Sequence, residues 1–330
     1  FLIAGQNNLL AVHVVALLFV IATAWTIRRI GVVIASAQAG TWAAIGYVIF
    51  SHTYLPRDTL AANVEIFTVL PLTLCMLSFL IGERQNCLWW LFISGLCCGV
   101  ASFFRQSSLI NLGVIGVYLG YICWIARTAD LRHVIRSGSA VLAGFLTFVG
   151  GMIIYHQAQG NWNDMIQWAW IVAMRYVESE TTVAYVVKRL FLVHGTFILA
   201  GGLLWYFGVK QLVTIVREHL RGRSSNTESV LIVLWCAATY LSLFTGWRFP
   251  GHYHLTVLPS LAILAGIAFT QFLDRLTQAD PSKVRRIRRV LVSAAVIPAI
   301  GFLVMAFVIR KDTVAFMPIT DYIVAHTQPE

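Results

Sequence analysis

Apolar runs about as long as a bilayer crossing recur from one end of the chain to the other. A transmembrane helix needs ~20 predominantly apolar residues. Of this 330-residue chain, 58% is hydrophobic and only 12% is charged, which excludes an ordinary soluble domain. The sequence predicts an all-α fold, a polytopic transmembrane helix bundle of about ten spans: 8–27, 32–52, 64–82, 88–104, 109–126, 138–155, 190–209, 228–246, 254–273 and 290–309.

The lysines and arginines divide unequally between the two sets of loops that join these spans. Of the 24, twice as many fall in the set that contains Arg28, Arg84 and Arg132 as in the set that contains Arg105 and Arg248. The positive-inside bias therefore predicts that the first set is cytoplasmic and that both chain ends lie outside. This topology and the attraction of basic loops to anionic lipids account for the net charge of +10, so no nucleic-acid partner is predicted.

We interpret residues 1–330 as a single membrane-embedded domain, because the sequence has no flexible linker and no low-complexity tract. The predicted outward N-terminus and the start at Phe1 favour a further span upstream of this chain. An outer segment, 156–189, is inserted between spans and is too polar to cross the bilayer. One apolar stripe at helical spacing runs through it: Trp162, Met165, Ile166, Ala169, Trp170, Ala173, Met174 and Val177. The stripe favours an interfacial helix on the outer leaflet, and a soluble helix packed on the bundle fits it equally well.

Two groups of polar residues stand at the predicted outer ends of spans. The first, Arg57, Asp58, Asn63 and Glu65, is unexpected in a chain that holds only 14 acidic residues. Ionisable groups at membrane depth are costly and mark functional sites. The alternative is a helix N-terminus whose acids complement its dipole, with arginine as a lipid anchor. The second group is the turn Arg105-Gln106, where a guanidinium can grip a phosphate or simply reach the headgroups.

A third group, Arg248-Phe249-Pro250-Gly251-His252-Tyr253-His254, directly precedes a span. We interpret Arg248, His252, Tyr253 and His254 as contacts to a phosphate or an acceptor. A His-x-His pair can bind zinc, but no third ligand is indicated, so no metal site is predicted. An aromatic-belt loop with incidental histidines is the plainer alternative. His13, His194 and His219 have no such company, and His13, inside a span, is interpreted as a hydrogen-bonded interhelical residue and not as a ligand.

Four segments, taken in order, carry a resemblance to a known family: 5–13 at the start of a span, Leu55-Pro56-Arg57-Asp58-Thr59-Leu60-Ala61-Ala62-Asn63-Val64-Glu65-Ile66-Phe67, Ser94-Gly95 to Phe104-Arg105-Gln106, and 248–259. On these segments the chain resembles a bacterial member of the GT-C superfamily of membrane glycosyltransferases. The likeness is to the branch related to dolichyl-phosphate-mannose–protein mannosyltransferases and the aminoarabinose transferase of lipid A. Only the second and fourth segments are specific.

The resemblance implies an enzyme of the bacterial plasma (inner) membrane, a hexosyl or pentosyl transferase surrounded by membrane lipids. It would move a sugar from a polyprenyl-phosphate carrier to a glycan, lipid or protein acceptor at the extracytoplasmic face. The implied catalytic residues are Asp58 and Glu65. The implied substrate-binding residues are Arg57, Asn63, Arg105, Gln106, Arg248, His252, Tyr253 and His254. Arginines and histidines can stabilise the departing phosphate, so a divalent metal is compatible but not required, and no other cofactor is expected.

The family's best-attested catalytic carboxylate lies in a first outer loop, for which this chain has no matching position. We therefore expect Asp58 and Glu65 to position substrate first and to act as a base second, and we expect this chain by itself to be inactive. A transporter or flippase for a lipid-linked or small polar substrate is the alternative. It predicts ionisable residues midway through spans, whereas most charges here fall at span ends.

Overall fold

A computed structural model describes residues 9–51, 62–172, 174–175, 182–222 and 226–277, with separate positions between 282 and 304. Every regular element within these residues is helical, which confirms the all-α prediction. The helices are α1 (Leu9–Ile34), α2 (Ala37–Phe50), α3 (Val64–Gln85), α4 (Leu88–Phe104), α5 (Ile110–Gly120), α6 (Leu131–Ala158), α7 (Trp162–Ile166), α8 (Val183–Arg189), α9 (Gly195–Ala200), α10 (Gly202–Leu220), α11 (Thr227–Leu241) and α12 (Leu258–Thr277). Short 3₁₀ or π-helical turns occupy Gln106–Leu109, Tyr121–Ile125, Gln167–Ile171, Leu190–His194, Ser242–Trp247 and Gly251–Thr256.

Six described helical segments are long and apolar enough to cross a bilayer, which makes the chain an integral membrane protein. They are Ala11–Ile34, Val64–Gln85, Gln106–Ile125, Leu131–Ala158, Val183–Ala200 and Thr227–Thr245. α4 is apolar but shorter, with 17 residues. The count of ten spans stays a prediction, since 290–309 and other stretches lie largely outside the described residues.

Several predicted boundaries differ from the structure. The predicted break between spans 8–27 and 32–52 falls inside α1, which continues through Arg28 and Arg29 to Ile34. The chain turns instead at Ser36, whose hydroxyl accepts a hydrogen bond of 3.1 Å from the Ala39 N–H and so caps α2. The basic pair marks where the apolar sequence ends, not where the helix ends.

The second difference concerns the predicted span 190–209, which the structure divides at Gly201. α9 ends at Ala200 and α10 begins at Gly202, so no single helix covers the predicted span. The span predicted at 254–273 is shifted as well, because α12 begins only at Leu258 and residues 251–256 form a 3₁₀ turn before it.

The bundle is built on close helix pairs. α4 lies between α3 and α6, while α12 packs between α2 and α10. Small residues permit the α4–α6 contact: a Cβ at Gly144 would lie 1.9 Å from the Phe92 carbonyl oxygen, and one at Gly95 would lie 1.8 Å from that of Val141. This packing fixes the end of α4, and with it the position of Arg105.

The inserted segment is helical where it is described. α7 runs into the turn Gln167–Ile171, and the stripe residues Trp162, Met165, Ile166, Ala169 and Trp170 are half-buried. The intervening Asn163, Asp164 and Trp168 are exposed, as the predicted stripe requires. Met174, which also belongs to the predicted stripe, is exposed, so the stripe is confirmed only as far as Trp170. Ala173 and Val177 lie outside the described residues, and the placement of the helix on the outer leaflet stays a prediction.

Candidate active site

Glu65 is a fully buried carboxylate in the first turn of α3. Asn63 is the N-cap residue of that helix, and the Glu65 side chain is about 1% exposed. A carboxylate is stabilised there because the unpaired N–H groups of a helix N-terminus carry partial positive charge. The sequence thus places one negative charge at a defined helix end, inside the protein.

Arg105 supplies the opposite charge from the neighbouring helix. It is the C-cap residue of α4, and its side chain is 9% exposed. Its Nη1 lies 3.9 Å from Glu65 Oε1, a distance at which the charges attract without a hydrogen bond. Burial lowers the pKa of Arg105, and the Glu65 charge opposes that shift. Arginine remains a cation under these conditions.

The loop between α11 and α12 completes this cluster with two side chains; we call residues 247–256 the histidine loop. His252 Nε2 lies 3.9 Å from Glu65 Oε2. The Tyr253 ring lies under the Arg105 guanidinium, whose Cζ is 3.8 Å from the ring centroid. A cation over the face of an aromatic ring is attracted by the ring quadrupole. Glu65, Arg105, His252 and Tyr253 therefore form one cluster that three separate elements contribute.

The cluster retains unused hydrogen-bonding capacity. Glu65 Oε2 and Arg105 Nη1 are buried and make no hydrogen bond within the described part of the chain. Buried polar atoms are normally paired, and an exception calls for an explanation. An acceptor and a cationic donor, side by side, suit a ligand that carries both a hydroxyl and an anion.

The histidine loop adopts a conformation that requires support. Trp247 and Phe249 have φ values of +54° and +44°, which non-glycine residues rarely adopt. Arg189, at the end of α8, holds this stretch: its Nε donates to the Arg248 carbonyl at 3.2 Å and its Nη2 donates to the Phe249 carbonyl at 3.1 Å. The guanidinium thus fixes the backbone on both sides of one left-handed residue.

His254, the last histidine of the loop, makes hydrogen-bonding contacts with residues outside this cluster. It is fully buried, with Nδ1 at 3.1 Å from the Gly251 carbonyl oxygen and Nε2 at 3.1 Å from His194 Nδ1. The other ring nitrogen of His194 lies 3.0 Å from the Tyr240 hydroxyl. Burial and the neighbouring His194 lower the pKa of His254 to about 3, so its ring is neutral near pH 7.

The remaining predicted site residues are placed as follows. The Gln106 amide donates to the Ala169 carbonyl of the inserted segment, which ties that segment to the end of α4. Arg248 is half-buried on the histidine loop, where its carbonyl accepts from Arg189. Arg57 and Asp58 lie outside the described residues. Their roles, like those of the whole predicted set, stay predictions.

Sequence reasoning missed three residues that shape this region: Arg189, His194 and Tyr240. They lie 46 to 60 positions away from their hydrogen-bond partners, so no local motif connects them. The polar residues of the loop 248–254 indicate that hydrogen-bond partners exist elsewhere in the protein. The sequence does not show which helices supply those partners.

A second polar cluster lies at the other end of the same helices. Arg84, near the end of α3, makes two hydrogen bonds to Glu228 in the first turn of α11. Glu83 accepts from Ser137 at 2.7 Å and lies 3.0 Å from His133 Nε2. Glu83, Arg84, His133 and Glu228 line a cavity of about 410 Å³. No group of three or more His, Cys, Asp or Glu suited to a metal ion occurs among the described residues.

Solved structures that resemble this chain include archaeal oligosaccharyltransferases. The Archaeoglobus fulgidus enzyme AglB, in complex with an inhibitory peptide and a dolichol-phosphate, superposes with a TM-score of 0.60 at 11% identity, over 88% of this chain and 44% of that one. The same organism's oligosaccharyltransferase, tethered with an acceptor peptide containing the NVT sequon, gives 0.55 at 10% identity, over 88% and 43%. No protein-family model and no curated protein matches the chain.

These likenesses show the fold. The chain shares its helical membrane fold with these archaeal oligosaccharyltransferases. It spans less than half the length of the oligosaccharyltransferases that it matches.

Proposed function

We propose that this protein is a membrane glycosyltransferase that moves a sugar from a polyprenyl-phosphate carrier to an acceptor. The shared fold supports a transferase of the GT-C type. The complex of AglB with dolichol-phosphate supports a lipid-phosphate donor for this chain as well. A transporter or flippase is not favoured, because the similar solved structures are transferases.

The observation that carries the proposal is the buried pair Arg105–Glu65 beside His252. Transfer requires that an acceptor oxygen attacks the anomeric carbon while the bond from that carbon to the phosphate oxygen breaks. The departing lipid phosphate takes the electron pair, and fixed cations stabilise its charge. Arg105 suits that task, and the His252 ring can donate a hydrogen bond to the same group.

Carboxylates serve the acceptor side of the same reaction. Glu65 holds an unpaired oxygen towards the cluster, and we assign it to orient the substrate hydroxyls. Asp58 precedes it by seven positions and is assigned to the same acidic region, where positioning comes first and proton removal second. Arg57, Asn63, Gln106, Arg248, Tyr253 and His254 are proposed to bind substrate or to support the groups that do.

The finer assignments follow the charge distribution and the motifs. The active site is assigned to the extracytoplasmic side, because Arg105 and Arg248 belong to the set of ends that is poorer in basic residues. The likeness of 55–67 and 248–259 favours the branch related to protein mannosyltransferases and the lipid A aminoarabinose transferase, in a bacterial plasma membrane. The acceptor is a glycan, a lipid or a protein.

The test is a comparison of two charge-neutral variants at the site with two matched variants at the far end. Cells that lack the chromosomal gene receive wild-type protein, Arg105→Gln, Glu65→Gln, Arg84→Gln or Glu228→Gln. We expect the two site variants to lower the level of one glycoconjugate at least ~100-fold, since oriented groups of this kind contribute that much to a rate. The Arg84 and Glu228 variants should retain it.

Protein abundance in the membrane fraction is measured alongside, so that loss of folding is not read as loss of activity. Unchanged glycan and lipid profiles in both site variants, at normal abundance, would remove the proposed function. An equal loss in all four variants would point to a structural effect and would also count against it.

A further inference from the structure

The histidine loop is connected to the bundle by a chain of three side chains: Tyr240, His194 and His254. Tyr240 belongs to α11, and His194 to the turn that follows α8. His254 belongs to the loop itself, two positions after His252 and next to Tyr253. Both histidines are buried, and Phe197 and Phe249 surround them with apolar contacts.

The hydrogen bonds that link Tyr240, His194 and His254 have a single consistent assignment of donors and acceptors. The Gly251 carbonyl can only accept, so His254 Nδ1 carries the proton and donates to it at 3.1 Å. A neutral His254 then accepts at Nε2, which makes His194 Nδ1 the donor across 3.1 Å. His194 in turn accepts at Nε2, and the Tyr240 hydroxyl donates to it at 3.0 Å. One tautomer of each ring satisfies every contact.

Each hydrogen bond in this network depends on the others, so the loss of one group leaves a buried neighbour unpaired. If the Tyr240 hydroxyl is removed, His194 Nε2 loses its donor and is left as a buried acceptor unpaired in this network, which carries a desolvation cost. A network of buried polar groups is stabilising only while all its members are paired.

The hydrogen-bonded side chains Tyr240, His194 and His254 affect the cluster because His254 lies next to two of its members. His254 is separated by one residue from His252, which faces Glu65, and it is adjacent to Tyr253, which lies under Arg105. The loop also contains the left-handed residues Trp247 and Phe249, whose conformation persists only while the surroundings hold it. Arg189 holds the first half of the loop, and His194 holds the second half.

We infer that Tyr240 and His194 are positioning residues, which act through His254 to keep His252 and Tyr253 directed at Glu65 and Arg105. They touch neither of those charges themselves. The inference rests on the proposed function for its consequence in substrate binding. The anchoring of the loop can be measured separately.

The experiment compares Tyr240→Phe with Tyr121→Phe in the intact protein, purified in detergent. Tyr121 also contacts a histidine, His219, at the far end of the bundle, so both changes remove one hydroxyl from a Tyr–His pair. Hydrogen exchange of the histidine loop is followed by mass spectrometry; the amides of Tyr253 and Val257, bonded to the carbonyls of Pro250 and His254, report on it. Binding of farnesyl phosphate, a short polyprenyl phosphate, is titrated in parallel.

We expect Tyr240→Phe to raise the exchange rate of the loop about five-fold and to weaken farnesyl phosphate binding by a similar factor, the effect of one lost hydrogen bond. Tyr121→Phe should change neither quantity at this end. His194→Phe, which keeps a ring of similar shape, should reproduce the effect of Tyr240→Phe.

Three results would overturn the inference: loop exchange that equals the wild-type rate in Tyr240→Phe, a rise of equal size in Tyr121→Phe, or a faster loop with unchanged farnesyl phosphate binding. If the wild-type protein itself does not bind farnesyl phosphate, the proposed function is wrong, whatever the variants show. The hydrogen-exchange rates then still test whether Tyr240 and His194 anchor the histidine loop.

Discussion

Arg105 is held by contacts of two different kinds. Glu65 faces it at 3.9 Å without a hydrogen bond, and the Tyr253 ring lies 3.8 Å from its Cζ on another side. The carboxylate offsets its charge while the ring fixes the plane of the guanidinium. A group held in this way keeps hydrogen-bonding capacity for a ligand, because Nη1 faces Glu65 at 3.9 Å without forming a hydrogen bond.

At this scale we predict different outcomes for Tyr253→Phe and Tyr253→Leu. Phenylalanine keeps the ring under Arg105, whereas leucine removes the cation–π contact, which is worth ~1–2 kcal/mol when desolvated. Titration with farnesyl phosphate should show affinity within about three-fold of wild type for the phenylalanine variant and about ten-fold weaker for the leucine variant. Farnesol, which lacks the phosphate, is the control ligand. Equal affinities for both variants would contradict the role of the ring.

The residues of this cluster were only partly predictable. Glu65, Arg105 and His252 could be found because ionisable residues beside apolar spans are rare and costly. Tyr253 followed from its place between two histidines, although its contact with Arg105 did not. Arg189, His194 and Tyr240 look ordinary in the sequence, and only the packing of distant helices gives them their partners.

The position of α4 depends on its close contact with α6. Gly144 lies so near the backbone of α4 that any side chain there would overlap the Phe92 carbonyl. The two helices must separate to accept even one methyl group. Such a shift moves the end of α4, where Arg105 lies.

We therefore predict that Gly144→Ala destabilises the protein by about 2 kcal/mol, the typical cost of overpacking. Gly150→Ala on the same helix is the matched control, because no atom lies within 4 Å of its added Cβ and alanine favours a helix over glycine. Thermal unfolding in detergent should show a lower midpoint for the first variant only. A midpoint for Gly144→Ala at or above the wild-type value would refute the close contact.

The existence of most helices was predictable, while several of their ends were not. Hydropathy locates the apolar stretch correctly for α3 and α4, yet it ends the first span at Ile27, although the helix continues for seven more residues. A charge does not interrupt backbone hydrogen bonding, so helices pass through it. Gly201 has the opposite effect, since it divides an apolar stretch that hydropathy reads as continuous.

Across the whole molecule, buried or paired charges concentrate at the two ends of the bundle. Glu65, Arg105 and Arg189 lie at one end, and Arg84 and Glu228 lie at the other. The Arg84–Glu228 contact joins α3 to α11, which are far apart in the sequence. It closes the bundle on the side away from the candidate active site.

We predict that this contact contributes little stability and nothing to the site. The Arg84 side chain is 45% exposed, and exposed ion pairs are worth ~0.2–1 kcal/mol. A double-mutant cycle with Arg84→Gln and Glu228→Gln, read by thermal unfolding, should give a coupling free energy in that range. Farnesyl phosphate affinity should stay at the wild-type value in all three variants; a change there would mean that the two ends communicate.

The short length of α4 affects how deep Arg105 lies relative to the membrane surface. Seventeen residues at 1.5 Å each span about 26 Å, less than the ~30 Å of hydrocarbon in a bilayer. Its neighbour α6 has 28 residues and is about 42 Å long. If α4 starts level with one membrane surface, its final residue stops short of the other. The guanidinium would then sit at the floor of a shallow well, where a lipid headgroup can reach it without its tail leaving the acyl chains.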